Sequence, residues 1–176
     1  MTDSRSAKTN QATPAALLTL ALMTAILWLL LTGSLDNQEL TAGVIVIVIV
    51  AILSRGKTHI LNGVRWSILL PAWIVTYLAY FAVALFRSNF DVARRVLTPS
   101  LPLRPGVVQV RTELTSALGR LLLANSITLT PGTLTVDVED DLLTIHWIDC
   151  PPDIDLESAT RTIAAGFERH LKRFVR

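Results

Sequence analysis

The chain is poor in the residues from which most activities are built. It has one cysteine, Cys150, so an internal disulfide and a multi-cysteine metal site are both excluded. Only 17% of its 176 residues are charged, against about a quarter in an ordinary soluble domain. From Arg87 onward the charges balance at 11 basic and 11 acidic, so there is no cationic excess to neutralise phosphates, and nucleic acid is not expected as a partner. Internal repeats and low-complexity tracts are absent. The most informative absence lies in three blocks, Pro14–Thr32, Leu40–Leu53 and Trp66–Phe86, which contain no Asp, Glu, Lys or Arg at all.

What fills those blocks is apolar, and 51% of the whole chain is hydrophobic. As helices, blocks of 19, 14 and 21 residues reach about 28, 21 and 31 Å, against a hydrocarbon core of about 30 Å. The first block is long for a signal peptide, and Leu31-Thr32-Gly33-Ser34-Leu35-Asp36 offers no small-residue cleavage site, so a retained helix is expected. The run Val44-Ile45-Val46-Ile47-Val48-Ile49-Val50 has strand propensity, yet beside another apolar block helix is expected, because lipid leaves no other partner for the backbone. Pro71 permits a kink in the third block, and Trp66 suits the membrane interface. The hydroxyls Thr19, Thr24, Thr41, Ser67 and Thr76 are expected to bond their own helices rather than line an ion path.

Charge sets the topology incompletely. The connection Ser54–Arg65 is basic, and so is the stretch holding Arg87, Arg94, Arg95 and Arg104; both can be cytoplasmic only if one block fails to cross. Two to three crossings are therefore expected, with a cytoplasmic C-terminal domain. Arg87–Arg95 suits a helix at the headgroups, where Arg87, Arg94 and Arg95 would contact anionic lipid.

Residues 1–12 read as a disordered tail, 13–97 as transmembrane helices plus an interfacial helix, and 98–106 as a stiff linker with Pro99, Pro102 and Pro105. Residues 107–176 read as a small α+β domain ordered β-α-β-β-α. Its parts are a strand over Val107–Val110, a helix over Glu113–Ala124 capped by Thr112 and ended at Asn125, a hairpin around Glu139-Asp140-Asp141, and a final helix. Leu134, Val136 and Val138 are expected inward on one hairpin strand, facing Leu143, Ile145 and Trp147 on the other.

Chemistry-bearing residues are few. Asp137, Glu139, Asp140, Asp141 and Asp149 lack the loop spacing of a calcium hand and read as a solvated turn. His146, Asp149 and Cys150 suggest a nucleophile with its base, but no oxyanion element accompanies them, so no catalytic site is expected. Asn125, Ser126, Thr128, Thr130, Pro131 and Gly132 form a short polar segment suited to docking on a neighbouring protein. Neither cofactor nor metal is expected.

The nonapeptide Asn125-Ser126-Ile127-Thr128-Leu129-Thr130-Pro131-Gly132-Thr133, the acidic hairpin and His146-Trp147-Ile148-Asp149 resemble the E-type subunit of the multisubunit Na+/H+ antiporters of bacteria, the Mrp or Mnh type. Asn89-Phe90-Asp91-Val92 and Pro105-Gly106 fit the same pattern. The resemblance implies an accessory, structural subunit of a plasma-membrane complex exchanging sodium for protons, with other subunits as partners and the pumping chemistry in larger chains. A free-standing membrane-anchored binding or sensor module is the alternative.

Overall fold

The computed structural model describes residues 14–54, 63–100 and 103–176, with side chains in the first helix from Leu17 onward. The expected tail and most of the basic connection, including Arg55, Lys57 and His59, lie outside the described residues. The chain divides into two compact units, Met1–Gly63 and Val64–Arg176.

The first unit is a helical hairpin of α1 (Pro14–Thr32) and α2 (Asn37–Leu53). Pro14 occupies the first helical position, where its missing N–H costs nothing. Gly33 closes α1 with a left-handed φ of 60° and donates its N–H to the Leu29 carbonyl at 2.9 Å. The β-branched run of α2 is helical, and α2 begins three residues before Leu40, giving about 26 Å rather than 21 Å. Trp28 joins the helices: its Nε1 donates to the Glu39 carbonyl at 3.0 Å, and its ring lies where a Cβ on Gly43 would come within 2.8 Å. Large apolar side chains such as Leu27, Leu30, Val44 and Leu53 point away from the hairpin. Helices apolar on every side require an apolar medium. Thr24 and Thr41 donate to carbonyls four residues earlier, at 2.8 and 2.7 Å.

The second unit starts with α3 (Leu70–Leu97), a single unbroken helix of 28 residues. Pro71 sits in its first turn and makes no kink, while Trp66 precedes it. The residues expected as a spanning block and a headgroup helix thus form one continuous helix, and the boundary between the compact units falls ahead of α3. Then come β1 (Gly106–Arg111), α4 (Ala117–Leu129), β2 (Thr133–Glu139) and β3 (Leu142–Trp147). The last helix is interrupted: α5 (Leu156–Ala159) passes through a π-helical turn at Thr160–Ala164 into α6 (Ala165–Leu171).

The three strands form an antiparallel sheet ordered β1-β3-β2. Leu143 and Ile145 of β3 are fully buried with Val110 of β1, against Leu123 and Ile127 of α4 and Phe167 and Leu171 of α6. Truncating one such leucine to alanine typically costs about 2–5 kcal/mol.

Three local expectations are corrected. α4 starts at Ala117 because Ser116, accepting from the Gly119 N–H at 3.0 Å, is the N-cap; Thr112 instead accepts from Leu114 N and donates to Glu168. α4 also runs through Asn125 to Leu129. Leu134 and Val136 face outward, 50% and 61% exposed, since Leu134 pairs with outward-facing His146 and a bulge between Thr135 and Asp137 resets the alternation. Thr135 takes the inner place, donating to the Ala124 carbonyl at 3.1 Å.

α3 belongs to this unit through its aromatic residues. Tyr80 packs edge-on to Phe167 and stacks on His170, with centroids 5.4 and 4.5 Å apart, and Tyr77 meets Phe174 at 5.8 Å. Gly166 makes room for this: a Cβ there would lie 1.8 Å from Tyr80 Oη and 2.7 Å from Cζ. Gly166→Ala is expected to push α3 off α6 and lower stability by about 1–3 kcal/mol, with Tyr80→Ala in the same chain removing the clash. Thermal unfolding of the two variants checks this.

Candidate functional site

The segment Asn125–Thr133 is the C-terminal end of α4, its cap and the turn into β2. Thr130 ends the helix, and Gly132, with φ 97°, makes the turn. Its hydroxyls are already engaged. Ser126 is 1% exposed and donates to the Leu122 carbonyl at 2.5 Å, so the Tyr77 hydroxyl, 2.7 Å away, donates to Ser126 Oγ. Thr130 donates to the Ser126 carbonyl at 2.8 Å, Thr133 to the Ile127 carbonyl at 2.7 Å, and Thr128 Oγ1 accepts the Thr135 N–H at 3.1 Å. Ser126 is therefore not at the surface, contrary to expectation: it holds α3 onto α4. Asn125 and Thr128 remain exposed, while Thr130, Pro131 and Gly132 are half-buried.

The three arginines also separate. Arg87 and Arg94 are exposed and without an ion pair among the described residues. Arg95 turns inward: Nε meets Asp91 Oδ2 at 2.7 Å and Nη1 meets Asp149 Oδ2 at 2.7 Å. This corrects its expected place among the headgroup contacts. Asp149 also receives Arg104 Nε on its other oxygen at 3.2 Å, and Arg104 N–H donates to the Ile148 carbonyl. One carboxylate thus ties together the end of α3, the linker and the end of β3. Burial disfavours its charge, but the hydrogen bonds from Arg95 and then Arg104 outweigh that and hold its pKa below the ordinary aspartate value.

These parts meet in one place. A cleft of about 550 Å³ is lined by Tyr80, Ser88 and Arg95 of α3, Gly132 of the turn, and Trp147 and Asp149 at the end of β3. Residues from two separate stretches, the turn after α4 and Arg95, therefore line one cleft. Its polar groups are paired internally, which suits positioning rather than bond-making. His146 lies exposed on the outward sheet face, and the Cys150 thiol donates to the Pro151 carbonyl at 3.4 Å. Among the described residues no three His, Cys, Asp or Glu side chains cluster as a metal site would require. Asp137 and Asp141 serve the hairpin, one accepting the Val138 N–H at 2.8 Å and the other meeting Arg111 at 3.1 Å.

A second polar cluster went unread in the sequence. Glu168, 6% exposed, accepts from Thr112 Oγ1 and Glu113 N–H at 3.0 Å each and meets Lys172 Nζ at 2.7 Å. Partial burial works against the Lys172 charge, yet the hydrogen bonds to Glu113 and Glu168 prevail and raise its pKa. The i,i+4 spacing of Glu168 and Lys172 was the available signal.

The fold and site define a class: an apolar helical hairpin joined to a small α+β domain whose polar groups hold its own elements together. The chain belongs to the Na+/H+ ion antiporter subunit family, whose profile matches residues 21–174. It is 34% identical over 135 residues to the E1 subunit of the Na(+)/H(+) antiporter of Staphylococcus aureus (strain bovine RF122 / ET3-1), covering 75% of this chain and 82% of that protein. The same identity and coverage hold for the E1 subunit of Staphylococcus aureus strain Newman. A chain of the membrane-bound sulfane sulfur reductase, an archaeal respiratory membrane complex, is similar in structure, with a TM-score of 0.74, 40% identity, and coverage of 90% of this chain and 98% of that one.

Because the Asp149 pKa is depressed, its contribution is present above the usual carboxylate pKa of about 3.9 and is lost as pH falls through the lower folded value. Asp149→Asn should leave residues 86–97 less protected from hydrogen exchange at neutral pH and should abolish the further loss below about pH 4. Exchange followed by mass spectrometry over that peptide, with and without the substitution, checks both.

Proposed function

We propose that this chain is an accessory, structural and assembly subunit of a multisubunit monovalent cation (Na+)/proton antiporter complex, and that it forms no ion path of its own. The observation that carries this is the electrical silence of the hairpin. α1 has no ionisable residue, and the one in α2, Glu39, sits in its first turn at the polar end. Carrying a proton or a sodium ion through hydrocarbon needs ionisable or coordinating groups at depth, and such groups cost roughly 2.5–3.5 kcal/mol each at a helix centre. A hairpin that avoids them throughout is built to be held by lipid and by other helices. No enzymatic role is assigned, since the cleft offers paired charges rather than a nucleophile beside a base.

In this reading the hairpin is a multi-pass anchor in the bacterial plasma membrane and carries the β-α-β-β-α domain on the cytoplasmic side, where the basic residues around Arg65 and Arg87 are favoured. The partners are the other subunits of the complex and the bilayer. The exposed rim of the Asn125–Gly132 segment, chiefly Asn125 and Thr128, is the surface assigned to a neighbouring subunit.

Purified protein reconstituted alone into liposomes should show no sodium-driven pH change above that of empty vesicles. Exchange by the isolated chain would overturn the reading. Purification in mild detergent should retain larger multispanning partners, whereas a free monomer would favour the free-standing module.

A further inference from the structure

α3 passes the length and composition test for a membrane crossing, yet its packing argues otherwise. One side is covered by the α+β domain almost from end to end, beginning with Leu70 and Trp73, continuing through Tyr77, Tyr80 and Ala84, and ending at the Arg95–Asp149 pair. From Leu70 to Arg95 that is about 37 Å of helix axis. If α3 crossed a bilayer, the domain would enter it too, together with exposed Arg161 and Arg169, at roughly 2.5–3.5 kcal/mol for each charge near the centre.

The opposite side of α3 is apolar, and the described residues of its own unit leave it uncovered. Val75 is 63% exposed, Phe86 75%, Phe90 76% and Leu97 82%. At 100° per residue these four fall within one sector on the side facing away from Tyr77, and Arg87 and Arg94 lie together along its border. The only acid on the helix, Asp91, is held by Arg95, so the border carries net positive charge. Just before the helix, Trp66 and Ile68 are 45% and 97% exposed, an aromatic–aliphatic pair of the sort found at membrane interfaces.

We infer that α3 is not a third crossing but lies flat in the headgroup layer of an anionic bilayer, its Val75–Phe86–Leu97 side in the acyl boundary and the α+β domain carried on its other side. Apolar burial of about 5–10 Å with cations at the rim is the pattern of interfacial helices. It also allows both basic segments of the chain to remain on one side of the membrane. The inference is independent of whether the chain moves ions.

The test uses the full chain carrying Cys150→Ser and single nitroxide-labelled cysteines at Val75, Phe86 or Leu97, in vesicles of phosphatidylcholine with phosphatidylglycerol. Relative collision with oxygen and with a water-soluble nickel chelate gives each label's depth. A flat helix places all three at one shallow depth, within about 5 Å of each other. A crossing would spread Val75 and Leu97 over about 33 Å with Phe86 deepest, which overturns the inference. Water-level exposure at all three sites also overturns it and assigns the surface to a protein partner. Should the labelled variants misfold, the unmodified chain answers the same question by photolabelling with a lipid whose diazirine sits near the headgroup. Adducts along the whole of residues 74–97 support the flat helix, and adducts only at its two ends, or none, reject it.

Discussion

The packing of Tyr77 and Tyr80 onto α4 and α6 is the contact on which the second unit depends. Tyr80 fills the space over Gly166 and lies between Phe167 and His170, while the Tyr77 hydroxyl reaches the buried Ser126. Without that stripe, α3 would be one more apolar helix in search of lipid. With it, the helix becomes an outer layer of the α+β domain and closes the helical side of the core. The need for internal satisfaction in a small domain explains why so many hydroxyls nearby bond backbone or one another.

Two charged clusters brace the rest. Asp149 gathers Arg95 and Arg104, so the far end of α3, the Pro-rich linker and the last strand meet at one carboxylate. Glu168 does the same for the turn after β1 and the final helix, through Thr112, Glu113 N–H and Lys172. Both are arrangements in which a partly desolvated carboxylate has a donor on each oxygen, which makes loss of one partner more damaging than the surface exposure of the pair would suggest. Neither resembles a reaction centre, and both fix the relation of loops to helices.

The hairpin carries no ionisable residue beyond Glu39 in the first turn of α2, and the α+β domain is stitched to its own helical cover. Both are features of a chain that belongs to the Na+/H+ ion antiporter subunit family. The meeting of the α4–β2 turn with Arg95 at one cleft gives the second unit a defined surface feature next to its exposed rim, Asn125 and Thr128.

Composition and periodicity revealed the apolar helices, the β2–β3 turn around Asp140 and the final helix, while the contiguous motif Asn125–Thr133 carried the family resemblance. Each is local: uncharged runs of a bilayer's length, alternation over a few residues, or a contiguous motif. What the linear order could not disclose was who faces whom. Leu134 and Val136 point outward because a bulge and pairing with β3 reset the alternation, and α4 extends past Asn125 because its partners in β2 and α3 complete the last turn. Arg95 reads as a lipid contact until Asp149, distant in sequence, arrives beside it. The apolar length of α3 was determined by sequence, but whether that length meets protein or lipid on a given side was decided only when the domain folded over its tyrosines, since hydrophobicity carries no address and packing does.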